Sequence, residues 1–320
     1  MKIILMGTGP FAVPSFEAIR QSENEIIAVV TKPEPPVKSR KGPPPAPVRT
    51  WATEHGLPIM DPMLINDEEA VARLQQLGAD LMVVCDYGQI LKPAALGSAK
   101  LGGINLHGSL LPAYRGAAPV QRALLSGDPQ TGVSVIHMTP RLDGGPILAS
   151  ATTDILAEET SGQLEERLSS LGVDLVMESI EKLRQWNGEE TIGEIQDPAK
   201  ATKAPRLNKQ EAQIDWAWSQ SKIDCHVRGM QPWPIAYTEV QLRENKPPQR
   251  IAILKVSSVE NDATDLAAGQ VTGEGQLIVR CGDGFLQIDQ LRPAGKNQMS
   301  GEQWLRGHQL QRGTSFIQPS

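Results

Sequence analysis

Short apolar runs alternate with amphipathic stretches of helical period through residues 1–188, and that alternation admits few folds. Lys2 to Met6 is an apolar run that breaks at Gly7, Glu25 to Thr31 is another, and Pro14 to Gln21 between them has helical character. The opening therefore reads β-α-β. A helix over Glu68 to Leu77, strands over Asp80 to Cys85 and Gly103 to Leu106, a helix near Val120 to Leu125 and a strand over Val133 to Met138 continue the pattern. Alternation at this spacing predicts an α/β domain: a mostly parallel, doubly wound sheet with helices on both faces. Thr160 and Gln163 form a capping-box pattern ahead of Leu164, Leu168, Leu171, Leu175, Val176, Ile180 and Leu183, one face of a long helix ending near Asn187 and Gly188. Residues 189–207 are polar, contain proline and lack apolar periodicity, as an interdomain linker would. Beyond them, short runs at Ala236 to Leu242, Arg250 to Val256, Gly275 to Cys281 and Gly284 to Gln290, separated by turn residues, predict a small β-barrel or sandwich over 208–320. Ser300 and Gln303 cap a short helix there.

Composition limits what such a chain does. With 40% hydrophobic and 21% charged residues among 320, it is an ordinary globular sequence of about two domains. Its longest unbroken apolar runs, Ile26 to Val30 and Leu81 to Cys85, are far below the ~18 residues of a membrane span, so no membrane partner is expected. The four apolar residues after Lys2 are too few for a signal-peptide core. Cys85, Cys225 and Cys281 are dispersed and odd in number, which predicts neither disulfides nor a cysteine-based metal site and suits a cytoplasmic setting. Net charge is −6, yet the segment Lys32 to Arg49 holds Lys32, Lys38, Arg40, Lys41 and Arg49 against Glu34 alone. Seven prolines between Pro33 and Pro47 make it an expected stiff, exposed arm. A basic arm of this kind is either a solvated surface or a phosphate-contacting element.

Three motifs sit where α/β sheets do chemistry. Gly7-Thr8-Gly9-Pro10-Phe11-Ala12 matches the G-x-G-x-x-A turn of dinucleotide sites. The second strand, however, ends at Thr31-Lys32, where a ribose-binding carboxylate is required, so a tight backbone turn is the better reading than a nicotinamide oxidoreductase. Gly103 to Ser109 ends a strand whose alternation puts Asn105 and His107 on one face. Leu142-Asp143-Gly144-Gly145-Pro146 follows the next long strand, and Asp143 is expected to hydrogen-bond His107 and orient its ring. Between them, Leu110 to Gly116 reads as an exposed loop in which Arg115 is an ordinary surface arginine.

The stretch from Ile104 through Asn105, His107, Pro112, Arg115 and Arg122, followed by Gly127 to Val135 and Leu142 to Leu148, resembles the folate-dependent formyltransferases. Gly7 to Ala12, Asp86 to Leu91, Ile214-Asp215-Trp216 and Arg228 to Thr238 are similar to the branch that acts on charged tRNA. The resemblance spans nearly the whole chain. It implies a Rossmann-like catalytic domain followed by an OB-like barrel, with Asn105, His107 and Asp143 as the catalytic set. Tyr87, Gly88, Ile90, Leu91, Ser109, Leu110, Leu111 and Pro112 are implied as folate-binding positions and Lys38, Arg40 and Lys41 as tRNA contacts. The implied donor is 10-formyltetrahydrofolate, the acceptor methionyl initiator tRNA, and the protein a cytoplasmic monomer needing no metal. Two departures fall in the aspartate loop, where Gly144 and Pro146 replace the Thr and Asp usual in that family. The rival readings are a sugar or small-amine formyltransferase and an RNA-binding relative without turnover.

Overall fold

The computed structural model describes residues 1–34, 46–242, 245–263, 265–273, 275–308 and 310–318. Two compact units emerge, one of Met1–Pro119, Gln130–Asp154 and Leu164–Pro205, the other of Val120–Pro129, Ile155–Gln163 and Arg206–Ser320.

In the first unit, strand β1 (Lys2–Gly7) is buried from Ile3 onward because it pairs in parallel on both sides, with β2 (Glu25–Val30) and, beyond α1 (Val13–Gln21), α2 (Pro47–Glu54), β3 (Ile59–Met60) and α3 (Glu68–Gln76), with β4 (Leu81–Cys85). Strands covered on both faces read as continuous apolar runs, which is what made them visible in the sequence. After α4 (Pro93–Leu96), β5 (Gly103–His107) adds in parallel to β4. The short β6 (Arg115–Gly116), α5 (Pro119–Ser126), which from Val120 onward belongs to the second unit, β7 (Gln130–His137) and β8 (Ile147–Asp154) follow. Sheet order is β3-β2-β1-β4-β5-β7-β8, with β7 antiparallel to β5 and β8 antiparallel to β7. β8 escaped the sequence reading because its residues ILASATTD form no continuous apolar run: only Leu148 is buried, and half-buried and exposed positions alternate from Ala149 on, as suits an edge strand.

Alternate residues of the strands supply two layers. Ile4, Met6, Val30, Met82 and Val84 form one core with Ala70 and Leu74 of α3 and Ala95 and Leu96 of α4. On the opposite side, α6 (Ser161–Gln185) buries Leu164, Leu168, Val176, Ile180 and Leu183 of the predicted stripe, with Leu171 and Leu175 half-buried. Gly172 lets that helix approach β5, since a Cβ there would lie 2.7 Å from Leu106. Thr160 and Gln163 make the predicted reciprocal cap, Thr160 N–H donating to Gln163 Oε1 at 3.0 Å.

The segment expected as a linker is corrected by its contacts. Residues up to Pro205 belong to the first unit, where Gln196 is buried and β9 (Lys203–Ala204) pairs in parallel with β6. A polar stretch without periodicity is indistinguishable from a linker until its hydrogen-bond partners, distant in sequence, are known.

The second unit carries α7 (Gln220–Gly229), β10 (Tyr237–Val240), β11 (Gln249–Val259), β12 (Ile278–Arg280), β13 (Phe285–Pro293), β14 (Met299–Ser300), α8 (Gly301–His308) and β15 (Phe316–Ile317). Its antiparallel sheet runs β12-β13-β11-β10-β15, with β14 on β13. The segment around Gln270 and Val271 bridges Val279 on one edge and Ser315 beside the other, closing the sheet into a small barrel and removing both free edges.

His226 of α7 is 5% exposed, edge-on to Trp218 at 5.0 Å, and its Nε2 has no hydrogen-bond partner. Burial, aided by Lys222, pushes its pKa down from 6.5 to about 4 despite the opposing backbone bond to Ala212 and charge of Glu211. The unfolded chain therefore takes up the proton first, and stability falls as pH drops from 6.5 toward 4. The loss expected from this group is about 3 kcal/mol. Chemical denaturation at pH 7 and pH 4.5 should show a smaller difference for His226→Gln than for the wild type.

Candidate active site

Asn105 and His107 stand on one face of β5, opposite the side on which Leu106 meets α6, as the alternation predicts. Asn105 is half-buried, and its side-chain amide has no hydrogen-bond partner among the described residues. His107 is 6% exposed, and its Nε2 lies 2.9 Å from the carbonyl of Tyr114. A carbonyl only accepts, so Nε2 carries a proton and donates it there, which leaves Nδ1 as the free nitrogen.

That nitrogen faces Asp143, but Oδ2 is 3.9 Å away. The predicted hydrogen bond between them is not made, and the ring is oriented by Tyr114 instead. Asp143 Oδ2 is occupied by the backbone N–H of Gly116 at 2.9 Å. The separation follows from the ladder. β7 runs antiparallel to β5, pairing His137 with Ile104 and Ser134 with His107. The connection from β7 to β8 thus leaves the sheet three residues, roughly 10 Å, from the level of His107, and Asp143 is carried back by a loop.

Gln196 grips that loop. Its Nε2 donates to the carbonyls of Asp143 (2.8 Å) and Gly145 (2.7 Å), while its Oε1 accepts from Arg115 Nε (3.1 Å) and Nη2 (2.6 Å). Arg115 is accordingly no ordinary surface arginine. Burial and the neighbouring Arg141 lower its pKa, opposed by Asp143. Thr202 secures the same stretch, accepting from Tyr114 N–H through Oγ1 at 2.8 Å and from Arg115 N–H through its carbonyl at 2.9 Å. Neither Gln196 nor Thr202 carried a sequence signal, because isolated polar residues in an aperiodic segment resemble any loop.

The eight positions implied for folate lie in different environments. Tyr87 and Leu91 belong to the core, and burial pushes the Tyr87 phenol up to about 12. Gly88 is exposed, with Lys32 reaching beside it, and Ile90 is 62% exposed. Asn66 and Gln89 tie this loop to the one before α3: Asn66 Nδ2 donates to the Ile90 carbonyl at 2.8 Å, and Gln89 Oε1 accepts from Ile65 N–H at 3.0 Å. Ser109 is fully buried and donates to the Ala113 carbonyl at 2.7 Å. Leu111 is buried too, its N–H held by Ser134 at 3.1 Å, whereas Leu110 and Pro112 are half-buried. Lys38, Arg40 and Lys41 lie outside the described residues.

The glycine turn after β1 is filled from within. Thr8 donates to the Asp86 carbonyl through Oγ1 (2.6 Å) and N–H (3.2 Å), and the Asp86 carboxylate occupies the position a Gly9 Cβ would take. An acidic group there opposes a pyrophosphate, which supports the backbone-turn reading over a dinucleotide site. Glu165 of α6, missed in the sequence, is pushed up to about 7 by burial and by the charge of Asp86.

The family described as formyl transferase matches residues 1–180, and its C-terminal domain matches residues 206–309. A methionyl-tRNA formyltransferase of Rhodopirellula baltica is 60% identical, covering 100% of this chain and 97% of its own. One of Methylococcus capsulatus is 37% identical over 97% and 98%. Among solved structures, the sugar 3N-formyl transferase WlaRD, in the presence of dTDP and 5-N-formyl-THF, shares the fold with a TM-score of 0.65 at 18% identity, over 93% of this chain and 99% of that one.

Two adjacent glycines separate the loop's steric limits. A Cβ on Gly145 would run into the backbone carbonyl of His137, which cannot yield, whereas one on Gly144 would meet only the Arg141 side chain, at 2.7 Å. Gly145→Ala is expected to lower turnover at least 10-fold and Gly144→Ala less than 3-fold, read by steady-state kinetics with melting temperature as control.

Proposed function

The chain belongs to the formyl transferase family, and we propose that it transfers the formyl group of 10-formyltetrahydrofolate to the α-amino group of methionyl initiator tRNA. The observation that carries the acceptor is the 60% identity, end to end, with a methionyl-tRNA formyltransferase. The fold it shares with a structure solved with a formyl folate is consistent with a folate-linked donor. The donor supplies an electrophilic formyl carbon, and the chain's own groups do the rest.

We assign Asn105 to the formyl oxygen, because its unpartnered, half-buried amide can donate to the negative charge that gathers there as the amine attacks. His107 works at the other end of the reaction. With Nε2–H committed to Tyr114, the neutral ring has one open function, acceptance of the departing ammonium proton at Nδ1. Asp143, held on Gly116 N–H, offsets the imidazolium charge from 3.9 Å without drawing the ring off its Tyr114 bond. No covalent enzyme intermediate is needed: the neutral amine bonds to the formyl carbon, the bond from that carbon to N10 of the folate breaks, and the proton held at His107 Nδ1 passes to N10 as tetrahydrofolate leaves.

For the folate we assign Gly88, Ile90, Leu110 and Pro112 as the surface facing the ring, with Tyr87, Leu91, Ser109 and Leu111 holding it from beneath. Gly88 matters because it adds no side chain where a flat ring must approach. Lys38, Arg40 and Lys41 are assigned to tRNA phosphates on their charge, and the barrel offers a second nucleic-acid surface. The first unit, which runs to Pro205, thus supplies the chemistry and the barrel over 208–320 the additional RNA grip. We assign the protein to the cytoplasm, as a monomer.

Transfer of labelled formyl from 10-formyltetrahydrofolate tests the reading, with methionylated initiator tRNA and free amino sugars offered side by side. Formylated tRNA is expected; transfer to the amino sugars alone would overturn the acceptor. Asn105→Ala and His107→Ala should each slow single turnover about 10²- to 10³-fold, the usual loss of ~2.7–4 kcal/mol for one stabilising group. Replacing Lys38, Arg40 and Lys41 together by Ala should flatten the salt dependence of tRNA binding by a log–log slope of about 2 to 3.

A further inference from the structure

We infer that Gln196 is a positioning residue that sets the distance between Asp143 and His107, an inference that rests on reading this site as the formyl-transfer centre. Four observations converge on it. The antiparallel pairing of β7 on β5 does not deliver Asp143 to His107, so something outside the ladder must. Asp143 itself has a backbone φ of 46°, a left-handed conformation that a non-glycine residue keeps only when its surroundings impose it. The carbonyls of Asp143 and Gly145 both point at one donor, Gln196 Nε2. And Gln196, 6% exposed, is the buried amide at the centre of a closed ring. From Asp143 Oδ2 the ring passes to Gly116 N–H, along the chain to Arg115, through its guanidinium to Gln196 Oε1, and through Nε2 back to the Asp143 carbonyl.

The chemistry of the position selects glutamine. Both N–H donors are used on carbonyls and both lone pairs of Oε1 accept from the guanidinium, so the amide has no capacity left and only one orientation. Reversing it would set an oxygen against two carbonyls and an NH2 against a cation. Glutamate would keep Arg115 but lose both donors. Gln196 touches neither His107 nor a reacting atom in the proposed scheme, and it acts through Asp143. With the ring intact, Oδ2 stands 3.9 Å from Nδ1, near enough to offset a charge and too far to form the bond that would occupy Nδ1. Release of the loop would let Asp143 close on Nδ1 or swing away, and either change would disturb the nitrogen that takes the proton.

The test combines kinetics with the ring nitrogen itself. In Gln196→Met, which keeps the volume, and in Gln196→Glu, we expect kcat to fall at least 10-fold while KM for both substrates stays within about 2-fold. The pH–rate profile should shift, as should the 15N titration of His107 Nδ1 by NMR. In an Asp143→Asn background, Gln196→Met should cost less than 2-fold more, because its effect passes through the carboxylate. Multiplicative losses in the double variant, or an unchanged pH profile and 15N titration, would overturn the proposal. Gln196→Asn, polar but too short to span from Arg115 to the loop, replaces the Met variant if that fails to fold and should show the same shifts. Wild-type transfer to methionyl initiator tRNA in the same assay checks the underlying reading separately: wild-type turnover with unaffected variants sinks the positioning role alone, and no wild-type turnover sinks both.

Discussion

The antiparallel addition of β7 to an otherwise parallel sheet governs the rest of the site. Parallel strands deliver their carboxyl ends to one edge, which is where open α/β sheets assemble function. β5 obeys that rule and ends at His107, whereas β7 runs the other way and hands its connection to the opposite level of the ladder. The carboxylate therefore reaches His107 by way of a loop, and the loop is held by side-chain and backbone bonds instead of by the sheet. Gly116 N–H, Gln196, Arg115 and Thr202 all serve that one displacement.

Division of labour within the first unit follows from this arrangement. The sheet, with residues such as Ile4, Met82 and Val84 fully or nearly fully buried, provides a rigid floor from which Asn105 and His107 project. The returning segment Gln196 to Ala204, pairing as β9 with β6 and bonded to Tyr114 and Arg115, provides the roof. Rigid placement matters for acyl transfer because an oxygen donor helps only where charge develops, and a displacement of an ångström forfeits much of the gain. The Tyr114 carbonyl contributes by fixing which His107 nitrogen is protonated, a choice that a direct aspartate bond would have made differently.

The glycines near the site act through close approach. Gly9 admits the Asp86 carboxylate, Gly145 passes the His137 carbonyl, and Gly116, at φ 131°, lies against the backbone of Ala204. In the first case a motif that reads as a phosphate cradle holds an acid of the protein's own. The sequence could not reveal this, since Asp86 stands 77 residues from Gly9 and nothing local links them.

Legibility divides along the range of the interactions. The buried parallel strands, the capped α6 with its apolar stripe, and the co-facial Asn105 and His107 were readable from residues 1–188, because periodicity and caps are local properties written in adjacent side chains. The motifs around Asn105, His107 and Asp143, together with the family resemblance, also fixed the chemistry to be sought. Edge strand β8, the barrel closure at Gln270 and Val271, the role of residues 189–205 and the 3.9 Å gap at His107 were decided in three dimensions. β8 pairs with the strand just before it but lacks a continuous apolar run; the others depend on polar groups whose partners are far away in the chain, and hydrogen bonding leaves no periodic trace. Sequence alone named the three residues expected to do the chemistry; the tertiary structure determined which nitrogen of His107 is free, how far Asp143 stands from it, and that an unremarkable glutamine holds that distance.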